Sequence, residues 1–276
     1  MLRITDTRTG DSTTAAPARR GLTRVEAHVP RPDTTGLRVL LVADVLVRAL
    51  EIGGTPVWTV LTGTEGRAEL RDRAAWLGIR PFEDERDSSP GLSTAQALRV
   101  RGPADEPGDG PAHGPGGEPT DGGTIAGGTA EAGPAGGGLL VDVAPADIES
   151  GVTESGAAEG EGSATALRLA LLARPRREPL RLGAADLADA EDQLKRWRGA
   201  VAGWATRPSG PVPESVRQQL RAAWEDDLDV PAVLAVLREV ETSGTVPDGA
   251  RFETYAYADR LLGLELTRDI GRGAPE

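Results

Sequence analysis

Cysteine is absent from this 276-residue chain, lysine occurs once, at Lys195, and histidine only at His28 and His113. Without cysteine there is no disulfide, no thiol chemistry and no thiolate zinc site. A phosphate-gripping P-loop needs a lysine after its glycines, and an acyl-transfer triad needs a histidine beside an exposed nucleophile; neither can be assembled convincingly from these residues. Long apolar runs are missing too. The longest, Val39 to Val47, contains Asp44 and is too short to span a bilayer. The first residues lack the charged start, apolar centre and small-residue cleavage site of a signal peptide, so a soluble cytoplasmic protein is the expectation.

What is present is unevenly distributed. Hydrophobic residues make up 38% of the chain, enough for a core if the polar residues are concentrated elsewhere. Residues 101–138 are more than half glycine and proline, with Ile125 the one large aliphatic residue. Such a stretch cannot bury enough apolar surface to offset its ordering entropy, so residues 91–138 read as a disordered linker. The net charge of −12 divides into 0 for residues 1–90, −10 for 91–163 and −2 for 164–276. The excess acid belongs to the linker region, and acidity alone rules out no partner.

From Leu37 to Ile52 the apolar positions Val39, Val42, Ala43, Leu46 and Leu50 recur at helical spacing, and Gly53-Gly54 supplies the stop. Pro56 to Leu61 reads as a buried strand and Glu65 to Leu77 as a second helix. With strands at Leu2–Thr5 and Arg24–Val29, the first 80 residues form a small α/β unit with a parallel sheet. Leu139–Val143 and a helix at Thr165–Ala173 return to it. Beyond them Leu187, Ala190, Leu194, Trp197, Val201 and Trp204 mark one apolar seam, and further helices follow at Val216–Trp224, from Pro231 to Val240, and from Asp248, as N-cap, to Gly263. The fold class is thus α/β plus all-α: a reduced Rossmann-like parallel sheet, then an antiparallel helical bundle. The expected divisions are 1–90, 91–138, 139–182 and 183–272.

Several strings resemble one family. Ala166-Leu-Arg-Leu-Ala-Leu-Leu with Glu178-Pro-Leu-Arg-Leu, the stretch from Ala223-Trp-Glu-Asp-Asp to Leu237, and Arg251-Phe-Glu-Thr with Asp259-Arg-Leu-Leu-Gly are similar to the junction and helical stalk of cysteinyl-tRNA synthetase. At the other end Leu2-Arg-Ile-Thr-Asp-Thr, Val42 to Glu51 and Thr55-Pro-Val-Trp-Thr-Val resemble the family's nucleotide-binding sheet. The same pattern suits the cysteine ligase of mycothiol biosynthesis. The resemblance implies ATP and zinc as cofactors and tRNA as partner.

The family's signatures are nonetheless absent. At the position of its histidine-rich nucleotide signature this chain has Asp33-Thr34-Thr35-Gly36, where a carboxylate would repel phosphate. The second signature requires two lysines before the Ala166 helix, and residues 151–165 supply none. Its paired histidines align with Ala146 and Asp147, and of its zinc ligands only His28 has a counterpart. The expectation is therefore a catalytically inactive pseudoenzyme using neither cofactor, with a binding or scaffolding role towards RNA or another protein. The competing expectation is an ATP-dependent ligase of the same superfamily with a divergent site. A third has the bundle seam pairing two copies.

A lone imidazole at a strand end, His28, is more often packed or at the surface than a ligand, and His113 lies in the linker. Arg168, Arg174, Arg176, Arg177 and Arg181 are the densest positive stretch and a candidate RNA contact, against the alternative of a solvated junction. Asp226, Asp227 and Asp229 fit the start of the helix at Pro231, and Trp197, Trp204 and Trp224 fit the core.

Overall fold

The computed structural model describes residues 1–17, 21–63, 66–84, 94–103, 138–149 and 161–271. An antiparallel pair, β1 (Arg3–Thr5) and β2 (Ser12–Thr14), precedes β3 (Leu22–His28), α1 (Thr34–Ile52), β4 (Val57–Thr62), α2 (Arg67–Trp76) and β5 (Glu83–Asp84). Then come β6 (Thr94–Arg101), β7 (Leu139–Asp142), β8 (Ala146–Ile148), α3 (Glu161–Leu172) and β9 (Leu180–Leu182). Four helices finish the chain: α4 (Ala184–Trp204), α5 (Glu214–Glu225), α6 (Val230–Thr242) and α7 (Asp248–Leu262).

The main sheet has five strands in the order β5-β4-β3-β6-β7, every pairing parallel. Two expectations need correction. The strand at Arg3–Thr5 belongs to a separate antiparallel pair and not to this sheet. Thr94–Arg101, assigned to the linker, is a strand beside β3, because Leu98 and Val100 alternate with polar residues and bury completely. The glycine-rich composition starts only after Arg101; residues 104–137 of the expected linker lie outside the described residues.

Alternation gives the sheet two unlike faces. Val25, Ala27, Leu61, Leu98, Val100 and Val141 are buried in the core with α1, whereas the other face carries Arg24, Glu26, His28, Thr62, Arg99 and Arg101. Strand order reverses beside β3, which puts the crevice of an open α/β sheet at the carboxyl ends of β3 and β6.

α1 is not the one-sided helix that its spacing predicts. All residues from Gly36 to Val47 are buried, including Arg38 and Asp44, because the sheet covers one side while β8 and α7 cover others. In the helical part α7 packs on α1, α4, α5 and α6. Tyr255 sits edge-on to Trp197 and Trp204, at centroid distances of 5.7 and 5.1 Å, and its hydroxyl donates to Leu237 O at 2.8 Å. Asp229 caps α6 by accepting from Ala232 N, and Pro231 takes the first turn as expected. The cap of α7 is Pro247 and not Asp248, whose carboxylate pairs instead with Arg251.

Candidate functional site

The carboxyl edge of the sheet brings together the end of β3, the end of β4 and the start of α1. Asp33 is the α1 N-cap: its Oδ1 accepts from Gly36 N at 2.8 Å, and its Oδ2 lies 3.3 Å from Arg31 Nε. A helix start offers free amides and positive potential to an anion; here the chain's own carboxylate takes that place. Thr34 opens the helix, half-buried. Thr35 Oγ1 donates to Ala146 O and accepts from Ala146 N, both at 3.1 Å, which ties α1 to β8. Gly36 is required by close approach, since a Cβ there would lie 2.3 Å from Arg31 O and 2.6 Å from Val29 Cγ1. Asp33, Thr35 and Gly36 thus each fulfil a structural demand, and the donor set at this position does not fit a nucleotide phosphate.

His28 ends β3 and is held from the side. Thr62 Oγ1 donates to Glu26 Oε1 at 3.2 Å, so the 3.0 Å contact between His28 Nδ1 and Thr62 Oγ1 uses a proton on Nδ1. An ionised carboxylate only accepts, which assigns this tautomer from the network. Glu26 is also bonded by Arg99 Nε at 3.0 Å and lies 3.2 Å from Arg24 Nη2. The imidazole packs on Gly63, whose φ of +86° and absent Cβ leave the room it needs. Among the described residues His28 thus has the Thr62 hydroxyl and Gly63 as neighbours. Among the described residues no three His, Cys, Asp or Glu side chains cluster as metal ligands would. His113 and residues 151–160 lie outside the described residues.

The five junction arginines separate into two groups. Arg168 is fully buried, donating to Leu262 O at 2.7 Å, Leu77 O at 3.1 Å and Asp44 Oδ2 at 2.7 Å. Arg176, 6% exposed, donates to Asp142 O at 2.6 Å and Asp227 Oδ1 at 2.5 Å. Burial lowers the pKa of both, against the pull of their aspartates. Both are turned inward, which corrects their place in the candidate RNA contact: these donors are already spent on the protein. Arg174, Arg177 and Arg181 are exposed; Arg177 bonds Thr5 O at 3.2 Å and Arg181 lies 3.4 Å from Glu149.

Sequence reasoning missed the aspartate and arginine inside α1. Asp44 collects Arg168, Arg48 at 2.9 Å and Arg80 at 3.1 Å. Burial pushes its carboxyl up, but the charges of Arg168 and Arg48 and hydrogen bonds from Arg168 and Arg80 outweigh that and hold it below the ordinary value. Arg38 donates to Ala144 O at 3.0 Å, Glu178 O at 2.8 Å and Pro175 O at 2.9 Å, and burial lowers its pKa to about 10. The signal was there: two charges interrupt an otherwise apolar run. Of the acidic turn, only Asp229 caps α6. Asp227, at a φ of 55°, accepts from Thr5 N at 2.8 Å and from Arg176, fastening β1 and the junction to the turn.

No helix among the described residues is long and apolar enough to cross a membrane. No protein-family model matches the chain. It is 43% identical over 111 residues to the L-cysteine:1D-myo-inositol 2-amino-2-deoxy-alpha-D-glucopyranoside ligase of Streptosporangium roseum, covering 38% of this chain and 26% of that protein. The ligase of the same name from Streptomyces griseus is 39% identical over 105 residues, 37% of this chain and 25% of that one. A cysteine–tRNA ligase of Paracoccus denitrificans is 39% identical over 105 residues, 38% of this chain and 20% of that one. The match thus spans a fifth to about a quarter of the length of these relatives. Over that region the chain is similar to both kinds of cysteine ligase, as the strings in its sequence imply.

Proposed function

We propose that this chain is a cysteinyl-tRNA synthetase-like protein that does not adenylate an amino acid and acts by binding RNA through its helical part and the junction before it. One observation carries the first half: the amide of α1 that an anion would use is taken by the carboxylate of Asp33, at 2.8 Å. A carboxylate there repels phosphate and cancels the favourable end of the helix dipole. The second half is supported by Arg174, Arg177 and Arg181, exposed at the junction, and by the cysteine–tRNA ligase among the relatives. Arginine suits phosphate because its planar fork donates two parallel hydrogen bonds.

Pyrophosphate exchange with cysteine and ATP tests the first half; exchange at an ordinary synthetase rate refutes it and restores the ligase reading. For the second half, tRNA binding is titrated against salt. Three phosphate contacts give a slope of log K on log salt of about −2 to −3. Replacing the three exposed arginines by alanine should flatten that slope. Absence of tRNA binding refutes the RNA role and leaves a protein as the partner.

A further inference from the structure

Independent of the reading above, a buried cation lacks a bonded counter-charge among the described residues. Arg168 and Arg176 each meet an aspartate, at 2.7 and 2.5 Å. Arg38, 1% exposed, meets only backbone among the described residues: Nη1 donates to Ala144 O and Glu178 O, and Nη2 to Pro175 O. Its Nε is buried too and has no acceptor among them. A buried charge is costly unless it is paired. Burial accordingly pushes the Arg38 pKa down to about 10, opposed by the charge of the exposed Glu178.

Arg38 lines a small cavity of about 20 Å³ between α1, the end of α3 and the turn into α6. Arg176 and the exposed Arg174 line it as well, and the remaining wall is apolar, with Val42, Val45, Leu171 and Leu228 among its side chains. Asp227, next to Leu228, is already shared by Arg176 and Arg177. One water needs about 10–15 Å³, so the space suits a single small particle. A water would satisfy Nε, but its own two hydrogens would face methyl groups, whereas a buried water needs about 2–4 polar partners. A monatomic anion has no hydrogens to place, accepts from Nε and supplies the missing charge.

We propose that this cavity is a halide site, in which a chloride accepts from Arg38 Nε while Arg174 and Arg176 add positive potential and the valine and leucine side chains shut out water. The ion neutralises the arginine that ties α1 to the loops before β8 and β9, so its effect is read in stability.

The test is urea unfolding of the full chain in sodium chloride and in sodium gluconate of equal ionic strength, gluconate being too large for the cavity. With a dissociation constant of about 10 mM, chloride at about 100 mM should raise the folded-to-unfolded ratio about tenfold over gluconate. Val45→Ile adds one methylene to the wall and keeps every charge, so it should bring that advantage to within about twofold. Crystals of the wild-type chain soaked in bromide should show an anomalous peak within hydrogen-bond reach of Arg38 Nε, and that result decides the matter where the variant is not folded. A wild-type chloride advantage below about twofold, a tenfold advantage that survives in Val45→Ile, or a bromide-soaked crystal without that peak overturns the proposal.

Discussion

Replacing Arg168 by methionine tests whether this arginine is a structural pin or a surface contact. The substitution keeps much of the volume but removes three donated bonds, to Asp44, Leu262 O and Leu77 O. Asp44 is not stranded, because Arg48 and Arg80 remain 2.9 and 3.1 Å from it. The two carbonyls are, at about 1–3 kcal/mol for each buried group left unsatisfied. Breaking a buried pair costs about 3–5 kcal/mol in general, and the retained partners argue against the top of the combined range, so the expected loss is about 4 kcal/mol. With a urea m-value of about 2.5 kcal/mol/M, that lowers the unfolding midpoint by about 1.5 M. Far-UV circular dichroism and tryptophan fluorescence should report it together, since Arg168 on α3 links α1, through Asp44, to the end of α7. In a double-mutant cycle with Asp44→Asn, the two losses should overlap by about 1–3 kcal/mol. Stability within about 1 kcal/mol of wild type would refute the assignment, as would a loss of RNA affinity in a variant as stable as wild type.

Gly36→Ala places a Cβ against the Arg31 carbonyl and the Val29 side chain, 2.3 and 2.6 Å away. Since the first is backbone, the clash is not relieved by a rotamer change, and a loss of at least about 1–3 kcal/mol is expected in thermal unfolding; an unchanged midpoint would show that the loop yields. The acid limb of stability should depend on Asp44. Its folded pKa is below the unfolded 3.8, so its contribution is complete above that value and is lost as pH falls through the folded one. Asp259 has the opposite sign: burial raises its pKa, although Leu264 and Leu266 amides oppose the rise, so its cost is relieved as pH falls through the raised value. Urea unfolding between about pH 5 and pH 2 should therefore show a shallower acid loss for Asp44→Asn than for wild type, and equal slopes would contradict the assignment.

The elements most readable from sequence were those whose pattern is local. The helices at α1, α4, α5, α6 and α7 follow from spacing, and the αL glycine at Gly263, with φ 62°, marks the last stop. What escaped depends on contacts distant in sequence. β6 was hidden by the glycine-rich composition that follows it, and β1 reads as a strand without revealing which partner it takes. The burial of α1 on several sides was invisible because the sheet hides one side and later segments hide the rest. The arginines show the same limit. In sequence Arg168, Arg174, Arg176, Arg177 and Arg181 form one basic stretch, but α3, the turn after it and β9 send two of them inward and three outward. Composition records charge, not direction.

If the edge has lost adenylation chemistry, as proposed, the placement of these charges bears on how the fold outlasts it. The groups that fix the architecture, Arg38, Asp44, Arg168 and Arg198, are bonded to one another or to carbonyls of the loops before β8 and β9, of Leu77 after α2 and of the end of α7. None of them is part of the segment from Asp33 to Gly36. That segment is held by its own bonds, and the residues now in it strengthen them: an aspartate N-cap contributes about 1 kcal/mol, and the Thr35 hydroxyl fills both backbone positions of Ala146. A catalytic edge must leave amides and cationic groups unsatisfied until substrate arrives, at a cost in stability. Here the same positions satisfy themselves. On the reading proposed above, replacing the signature residues therefore relaxed a constraint at the edge, while the core linking the sheet to the helices, built from different residues, was left intact.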